Sequence, residues 1–142
     1  MKGRHVDTEA FVDNLNEDLE LEFQSIVQYV QHIASVKGGE FQSILDELAV
    51  HVKQELDHAL TLARQIDFLG GVPSTKVPVV PSTTDARAAL ESDRELEERQ
   101  LERYRERTEQ AESLSLPDVA ESLAPLLEQT QEHVRDLRAA LG

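Results

Sequence analysis

The sequence contains no cysteine, which excludes disulfide bonds, thiolate metal sites and cysteine nucleophiles. Glycine and proline are sparse, with 6 and 5 of 142 residues, and they cluster, so long uninterrupted segments remain that are suited to helix. The sequence also lacks an apolar run long enough to span a bilayer, and its first residues have no apolar signal core. We therefore expect a cytoplasmic protein that does not associate with membranes.

Basic residues are few relative to acidic ones. Only 14 Lys and Arg stand against 28 Asp and Glu, a formal net charge of −14 at pH 7. Such a charge repels nucleic acid and anionic membranes and favours cations. The length is sufficient for one domain with a substantial core. We expect a single domain over residues 1–142 and no nucleic-acid partner.

Four segments repeat apolar residues with the helical period and predict an all-α protein. The helices are expected at about 8–36, 40–69, 85–113 and 117–141. Asp7 or Thr8 can cap the first helix and Thr84 the third. Pro117 suits the first turn of the last helix.

The segment 70–84 is the one long irregular stretch, and its three prolines keep it extended. About fourteen such residues reach ~45 Å, and a thirty-residue helix is also ~45 Å long. The segment can therefore return along the whole bundle, with its valines packed against it, and set the third helix parallel to the second. This predicts a four-helix bundle with one long crossover. The alternative is a flexible linker between two helical hairpins.

Every predicted helix carries a metal-capable side chain within its apolar stripe. These side chains are Glu22, Glu55 with His58, Glu97, and His133. Burying an unpaired carboxylate costs several kcal/mol, so the stripe must contain a compensating group, and a divalent metal is the obvious candidate. One Glu-x-x-His pair alone would favour a pair satisfied by an arginine or by the bundle rim. A metal-capable side chain in the apolar stripe of all four helices instead favours a metal site, and carboxylate–imidazole sets suit Fe(II), Mn(II) or Zn(II).

Other polar residues of these helices have simpler interpretations. We interpret Asp18 and its acidic neighbours on the first helix as a solvated face. We interpret the charge run of the third helix, with its arginines, in the same way. His51 lies one turn before Glu55. It can be a further ligand or an outer partner, but we interpret it as a rim histidine.

The sequence resembles the bacterioferritin family over most of its length, through three of its helices. The similar segments are Glu22-Phe-Gln-Ser-Ile-Val-Gln-Tyr29-Val-Gln-His32, Glu55-Leu-Asp-His58-Ala59 with the tail Phe68-Leu69-Gly70-Gly71-Val72-Pro73, and Leu90-Glu-Ser-Asp93 with Glu97. The resemblance implies a ferritin-like bundle and a di-iron carboxylate site. It implies that Glu22, Glu55 and His58 bind the first iron. Glu55 and Glu97 would bridge the irons, His133 would bind the second, and Tyr29 would be a nearby tyrosine.

The sequence departs from the family pattern at three places. Thr130 occupies the slot, three residues before His133, where the family has a glutamate ligand, and Gln129 would be only a weak substitute. Leu56 stands at the family's haem-binding methionine, and Met1 is the only methionine, which excludes haem held by paired methionines. We expect no short C-terminal helix of the kind that closes a large cage, which favours a homo-oligomer that is a dimer or a small cage.

The function expected from this resemblance is a di-iron ferroxidase that oxidises Fe(II) with O2 or H2O2 for iron storage or detoxification. One alternative is a discrete di-metal oxidase or peroxidase with a rubrerythrin-like core. Another is a structural bundle with a degraded metal site, which Thr130 favours. A DNA-protecting role is opposed by the acidic charge. With three carboxylates and no fourth, we expect one tight and one weaker metal position, with Mn or Zn as substitutes for iron.

Overall fold

The computed structural model describes residues 6–83 and 85–142, and within these ranges the regular structure is helical. The elements are α1 (Thr8–Ser35), a short 3-10 helix (Gly39–Phe41), α2 (Gln42–Phe68), α3 (Ala86–Ser113) and α4 (Pro117–Leu141). The prediction of an all-α fold is confirmed. None of the described helices is long and apolar enough to cross a membrane.

Aspartates begin two of the helices. The side chain of Asp7 accepts a hydrogen bond from the backbone N–H of Ala10 at 2.7 Å, and so caps α1. Asp85 caps α3 in the same way by accepting from the N–H of Ala88 at 2.8 Å. Thr84, the cap expected from the sequence, lies outside the described residues.

Hydrogen bonds between helices define the topology. Asn14, near the start of α1, donates to Gln110 near the end of α3. His32, near the end of α1, bonds to Asp93 near the start of α3. Thus α1 is antiparallel to α3, and the short connection after α1 makes it antiparallel to α2 as well. Because α2 and α3 must then be parallel, the chain returns along the bundle between them, and the predicted ferritin-like bundle with one long crossover is confirmed.

Polar contacts hold the crossover on α1. Asn16 donates to the carbonyl oxygen of Val72 at 3.0 Å and accepts from the backbone N–H of Ser74 at 2.7 Å. The hydroxyl of Ser74 donates to Glu20 at 2.6 Å. The expectation that the valines pack onto the bundle is wrong for Val77 and Val79, which are 49% and 92% exposed. Hydrogen bonds from α1 therefore anchor the start of this segment.

The apolar core is divided into two clusters at opposite ends of the bundle. One contains Phe11 and Leu62, and the other contains Leu48 and Leu137. The helix middles that lie between the clusters carry buried polar side chains instead. The two clusters stabilise the bundle on either side of this polar layer, which is where the predicted ligands lie.

Asp18 and Arg107 correct the interpretation of solvated charges. They are 2% and 1% exposed. Arg107 Nε donates to Asp18 Oδ2 at 2.6 Å, and Arg103 Nε donates to Asp18 Oδ1 at 2.5 Å. On an isolated helix Asp18 flanks the apolar stripe, but the packing of α3 against α1 covers it. The result is a buried ion pair between these helices.

Candidate metal centre

The five predicted ligands meet in the polar layer at the middle of the bundle, and each is at most 2% exposed. They are Glu22, Glu55, His58, Glu97 and His133. The first three form one group whose potential ligand atoms lie within 4.8 Å of one another. Glu97 and His133 form a second such group with His51. The four helices thus bring all five side chains together.

His58 is directed into the first group by a glutamine. Its Nδ1 lies 3.1 Å from Glu22 Oε2 and 4.0 Å from Glu55 Oε2. Its Nε2 lies 2.8 Å from the side-chain oxygen of Gln129, which can only accept, so this nitrogen carries a proton and donates. Gln129, considered from the sequence as a weak metal ligand, instead orients His58.

His133 is held in a matching way in the second group. Its Nδ1 lies 2.9 Å from Glu97 Oε2 and 2.8 Å from Glu55 Oε1. Its Nε2 donates to the side-chain oxygen of Gln54 at 2.6 Å. Tyr29 donates its hydroxyl to Glu97 Oε2 at 2.6 Å. Sequence reasoning missed Gln54, although its place beside Glu55 was a signal that it borders the same layer.

Glu55 lies between the two histidines, and neither of its buried carboxylate oxygens has a well-aligned hydrogen bond to a described residue. Its Oε1 is 2.8 Å from His133 Nδ1, but that nitrogen also lies 2.9 Å from Glu97 Oε2, and Glu97 Oε1 likewise has no aligned partner in the described part of the chain. Leaving a buried acceptor unsatisfied costs about 1–3 kcal/mol, and more if it is charged. A divalent cation bound between the groups would satisfy these oxygens, so the donor set fits a metal.

The ionisation of the site reflects this crowding. Burial, followed by repulsion from Glu22 and Glu97, raises the pKa of Glu55 well above its ordinary value. Burial also acts to raise the pKa of Glu22, but the contacts with Glu55 and His58 outweigh it and hold that pKa low. Burial lowers the pKa of His58, and the bond to Glu22 more than reverses this. Without a metal, the site therefore holds protons in place of cations.

Glu22 is fixed by two further residues of α3. Gln100 donates to Glu22 Oε1 at 3.1 Å, and the Tyr104 hydroxyl donates to Glu22 Oε2. Burial and then the negative charge of Glu22 raise the pKa of Tyr104 well above its ordinary value. Burial and then Glu97 do the same for Tyr29. Both phenols stay protonated near neutral pH and act as hydrogen-bond donors to the carboxylates.

Thr130 and His51 distinguish the second group from the first. Thr130 is 1% exposed, and its hydroxyl oxygen has no partner in the described part of the chain. His51 is 2% exposed, and its ring stacks on that of His133 with centroids 3.9 Å apart, so the interpretation as a rim histidine is wrong. Burial, and then the nearby His133, lowers the pKa of His51. The helical period of α2 places His51 near the face that carries the ligands. Its burial depends on the neighbouring helices that pack over it.

The protein is thus an all-α four-helix bundle with two buried carboxylate–histidine groups at its centre. A family model described as Ferritin-like domain matches residues 12–142, and the chain belongs to that family. A ferritin-like, diiron-carboxylate protein from Bacillus anthracis is 32% identical and similar in structure, with a TM-score of 0.91 over 96% of this chain and 98% of that one. The comparison with curated proteins gives no match.

A more distant structural relative shows the fold alone. It is a dodecameric thioferritin, a bacterioferritin-related protein from Bacteroides fragilis, with 24% identity and a TM-score of 0.79 over 96% of this chain and 86% of that one. With the family match, these neighbours confirm the resemblance to ferritin-like di-iron carboxylate proteins. The fold and the two fully buried metal-capable groups together point to iron.

Proposed function

We propose that this protein is a ferroxidase that takes Fe(II) as substrate and oxidises it with O2 or H2O2 for iron storage or detoxification. The observation that carries the proposal is the position of Glu55, whose two buried oxygens have no well-aligned hydrogen bond to a described residue. They lie 4.0 Å from the ring nitrogen of His58 on one side and 2.8 Å from that of His133 on the other. This is the place for a carboxylate that bridges two cations.

Glu22, Glu55 and His58 hold the first Fe(II). Glu97 and His133 hold the second, with Glu55 shared. Three carboxylates supply three negative charges against four positive charges of two Fe(II), which leaves the second position short of one anion. We therefore expect the second ion to bind less tightly than the first, because Thr130 supplies no carboxylate there.

One proton of the site is released when Fe(II) binds, and the protons that the reduction of O2 consumes come from water. Because the pKa of Glu55 is raised, binding of Fe(II) displaces its proton. Two Fe(II) supply one electron each, and O2 takes both electrons and two protons to give H2O2. A further pair of Fe(II) reduces H2O2 to water with two more protons. Tyr29 keeps its proton and positions Glu97 by donating to it.

Removal of Glu55 gives the decisive test of the proposed site. Anaerobic titration with Fe(II), followed by measurement of O2 consumption, should show two ions bound per chain and their oxidation. Glu55→Ala should lose binding at both positions, whereas Glu121→Ala, which removes an exposed carboxylate of α4, should not change it. If Glu55→Ala still takes up two ions with unchanged affinity, the site assignment is wrong.

Iron loading separates the proposed storage function from a discrete oxidase. A cage accumulates many irons per chain, whereas a rubrerythrin-like oxidase or peroxidase stops at two. A structural bundle with a degraded site is favoured by one observation, the presence of Thr130 at a ligand slot. It predicts no change in melting temperature with Fe(II), Mn(II) or Zn(II).

We also propose that the protein acts as a homo-oligomer, either a dimer or a small cage. Valine pairs and leucine pairs at helical spacing are exposed on α1 and α2, namely Val27 with Val30 and Leu56 with Leu60. Burial of such side chains against a second copy is favourable. Size-exclusion chromatography with light scattering should give a mass above that of one chain. The cytoplasmic location and the absence of methionine-bound haem remain predictions.

A further inference from the structure

His51 lies on α2 one turn before Glu55, within reach of the second metal position. One of its ring nitrogens lies within 4.8 Å of a carboxylate oxygen of Glu97 and a ring nitrogen of His133. Its Nδ1 is buried and has no hydrogen-bond partner among residues 6–83 and 85–142. A buried ring nitrogen without a partner loses its hydration, and no hydrogen bond compensates for that loss.

Asp136 of α4 determines which nitrogen of His51 carries the proton. Asp136 Oδ2 lies 3.1 Å from His51 Nε2. An ionised carboxylate can only accept, so the proton is on Nε2 and Nδ1 is left with its lone pair. Histidines that bind metals commonly donate their other N–H to a carboxylate in this way, which fixes the tautomer and orients the ring.

We propose that His51 is a protein ligand of the second metal position through Nδ1, with Asp136 orienting it. This inference rests on the proposed function. It supplies a further donor where Thr130 provides none, beside Glu97, His133 and the shared Glu55. A neutral nitrogen replaces an anion there, so the position remains weaker for Fe(II) than the first, and its second imidazole makes it more suited to Co(II) and Zn(II).

The ring stack predicts a local movement on metal binding. The rings of His51 and His133 are 3.9 Å apart at their centroids and inclined by 19°. Two imidazoles that share one metal each hold it in their own ring plane, so nearly parallel stacked rings cannot both do so. One ring must therefore tilt out of the stack when the second position fills.

The same histidine also belongs to a more exposed group with Glu47 and Asp136. A metal bound there would use Nε2 in place of its bond to Asp136 and would lie towards the surface. The unpartnered Nδ1 favours the inner position. The two arrangements differ in the nitrogen that is used and in the involvement of Glu47.

Titration calorimetry of the metal-free protein with Co(II) under anaerobic conditions tests the proposal. The natural protein should bind two ions per chain in two steps. His51→Leu should retain the first step and weaken the second by about tenfold or more, and Asp136→Asn should weaken it less. Glu47→Gln is the matched control and should change neither step.

Two calorimetric outcomes separate the ligand assignment from the function. If His51→Leu binds two ions as tightly as the natural protein, the role of His51 is overturned while the proposed function stands. If the natural protein binds no Co(II) and no Fe(II), the proposed function fails. Loss of the second step in Glu47→Gln would place the metal in the more exposed group and overturn the proposal.

Nuclear magnetic resonance of the histidine ring nitrogens in the natural protein gives a test that does not depend on a variant's folding. With Zn(II), the second equivalent should shift the Nδ1 resonance of His51 and leave its Nε2 protonated. A shift that shows Zn(II) on Nε2, or no shift at all while two ions bind, would overturn the proposal.

Discussion

Replacement of Thr130 by glutamate should convert the unequal pair of metal positions into a more nearly equal one. Thr130 is 1% exposed and lies three residues before His133 on α4, so a glutamate there reaches the same face of the helix. Its charge would bring the site to four carboxylates against two divalent cations. Thr130→Gln is the matched control because it adds nearly the same volume and no charge.

The magnitude follows from two opposing effects. A unit charge about 4 Å from a divalent ion gains roughly 8 kcal/mol at an effective dielectric constant of 20. Removing the carboxylate from water costs several kcal/mol, which offsets most of this attraction. A net gain of about 1.4–2.8 kcal/mol corresponds to roughly 10- to 100-fold tighter binding at the second position. Without metal the same carboxylate is uncompensated, so the metal-free variant should melt at a lower temperature than the natural protein.

Calorimetric titration of both variants measures this gain, and stopped-flow oxidation of Fe(II) should be faster in Thr130→Glu. Compared with the natural protein, Thr130→Glu should have a lower melting temperature without metal and a larger increase in melting temperature when metal is added. Two equal positions in the natural protein would refute the reasoning. So would a Thr130→Glu variant that binds no more tightly than Thr130→Gln.

Three further predictions concern stability. Addition of Fe(II), Mn(II) or Zn(II) at about 100 times the dissociation constant should stabilise the native state by about 2.7 kcal/mol, and an unchanged melting temperature would argue against a metal site. The pKa of Glu55 in the folded protein is raised above its ordinary value of 4.5. Protonated Glu55 is therefore favoured by folding, and the metal-free protein should lose stability as the pH rises from about 4.5 towards the folded-state pKa. Urea denaturation as a function of pH should show a smaller decline for Glu55→Gln, and identical profiles would contradict this. Asp18→Asn leaves Arg107 buried without its carboxylate and should cost about 3–5 kcal/mol in the same assay; a cost below 1 kcal/mol would show that the pair is not held in its buried form.

Local periodicity was sufficient to predict the helices and the inward direction of Glu22, Glu55 and His58. The reason is that a helix has a regular turn, so a side chain's phase relative to the apolar stripe is a property of its own segment. The long extended segment likewise implied the crossover, because its reach matches the length of a helix.

The tertiary structure alone decided what covers the side chains at the edge of each stripe. Asp18 and His51 lie at such edges, and both are buried because a neighbouring helix packs over them. The partners Gln54 and Gln129 also come from other helices than the histidines they orient. The phase of one helix does not determine its rotation and register against the next, so these contacts exist only once the four helices are packed.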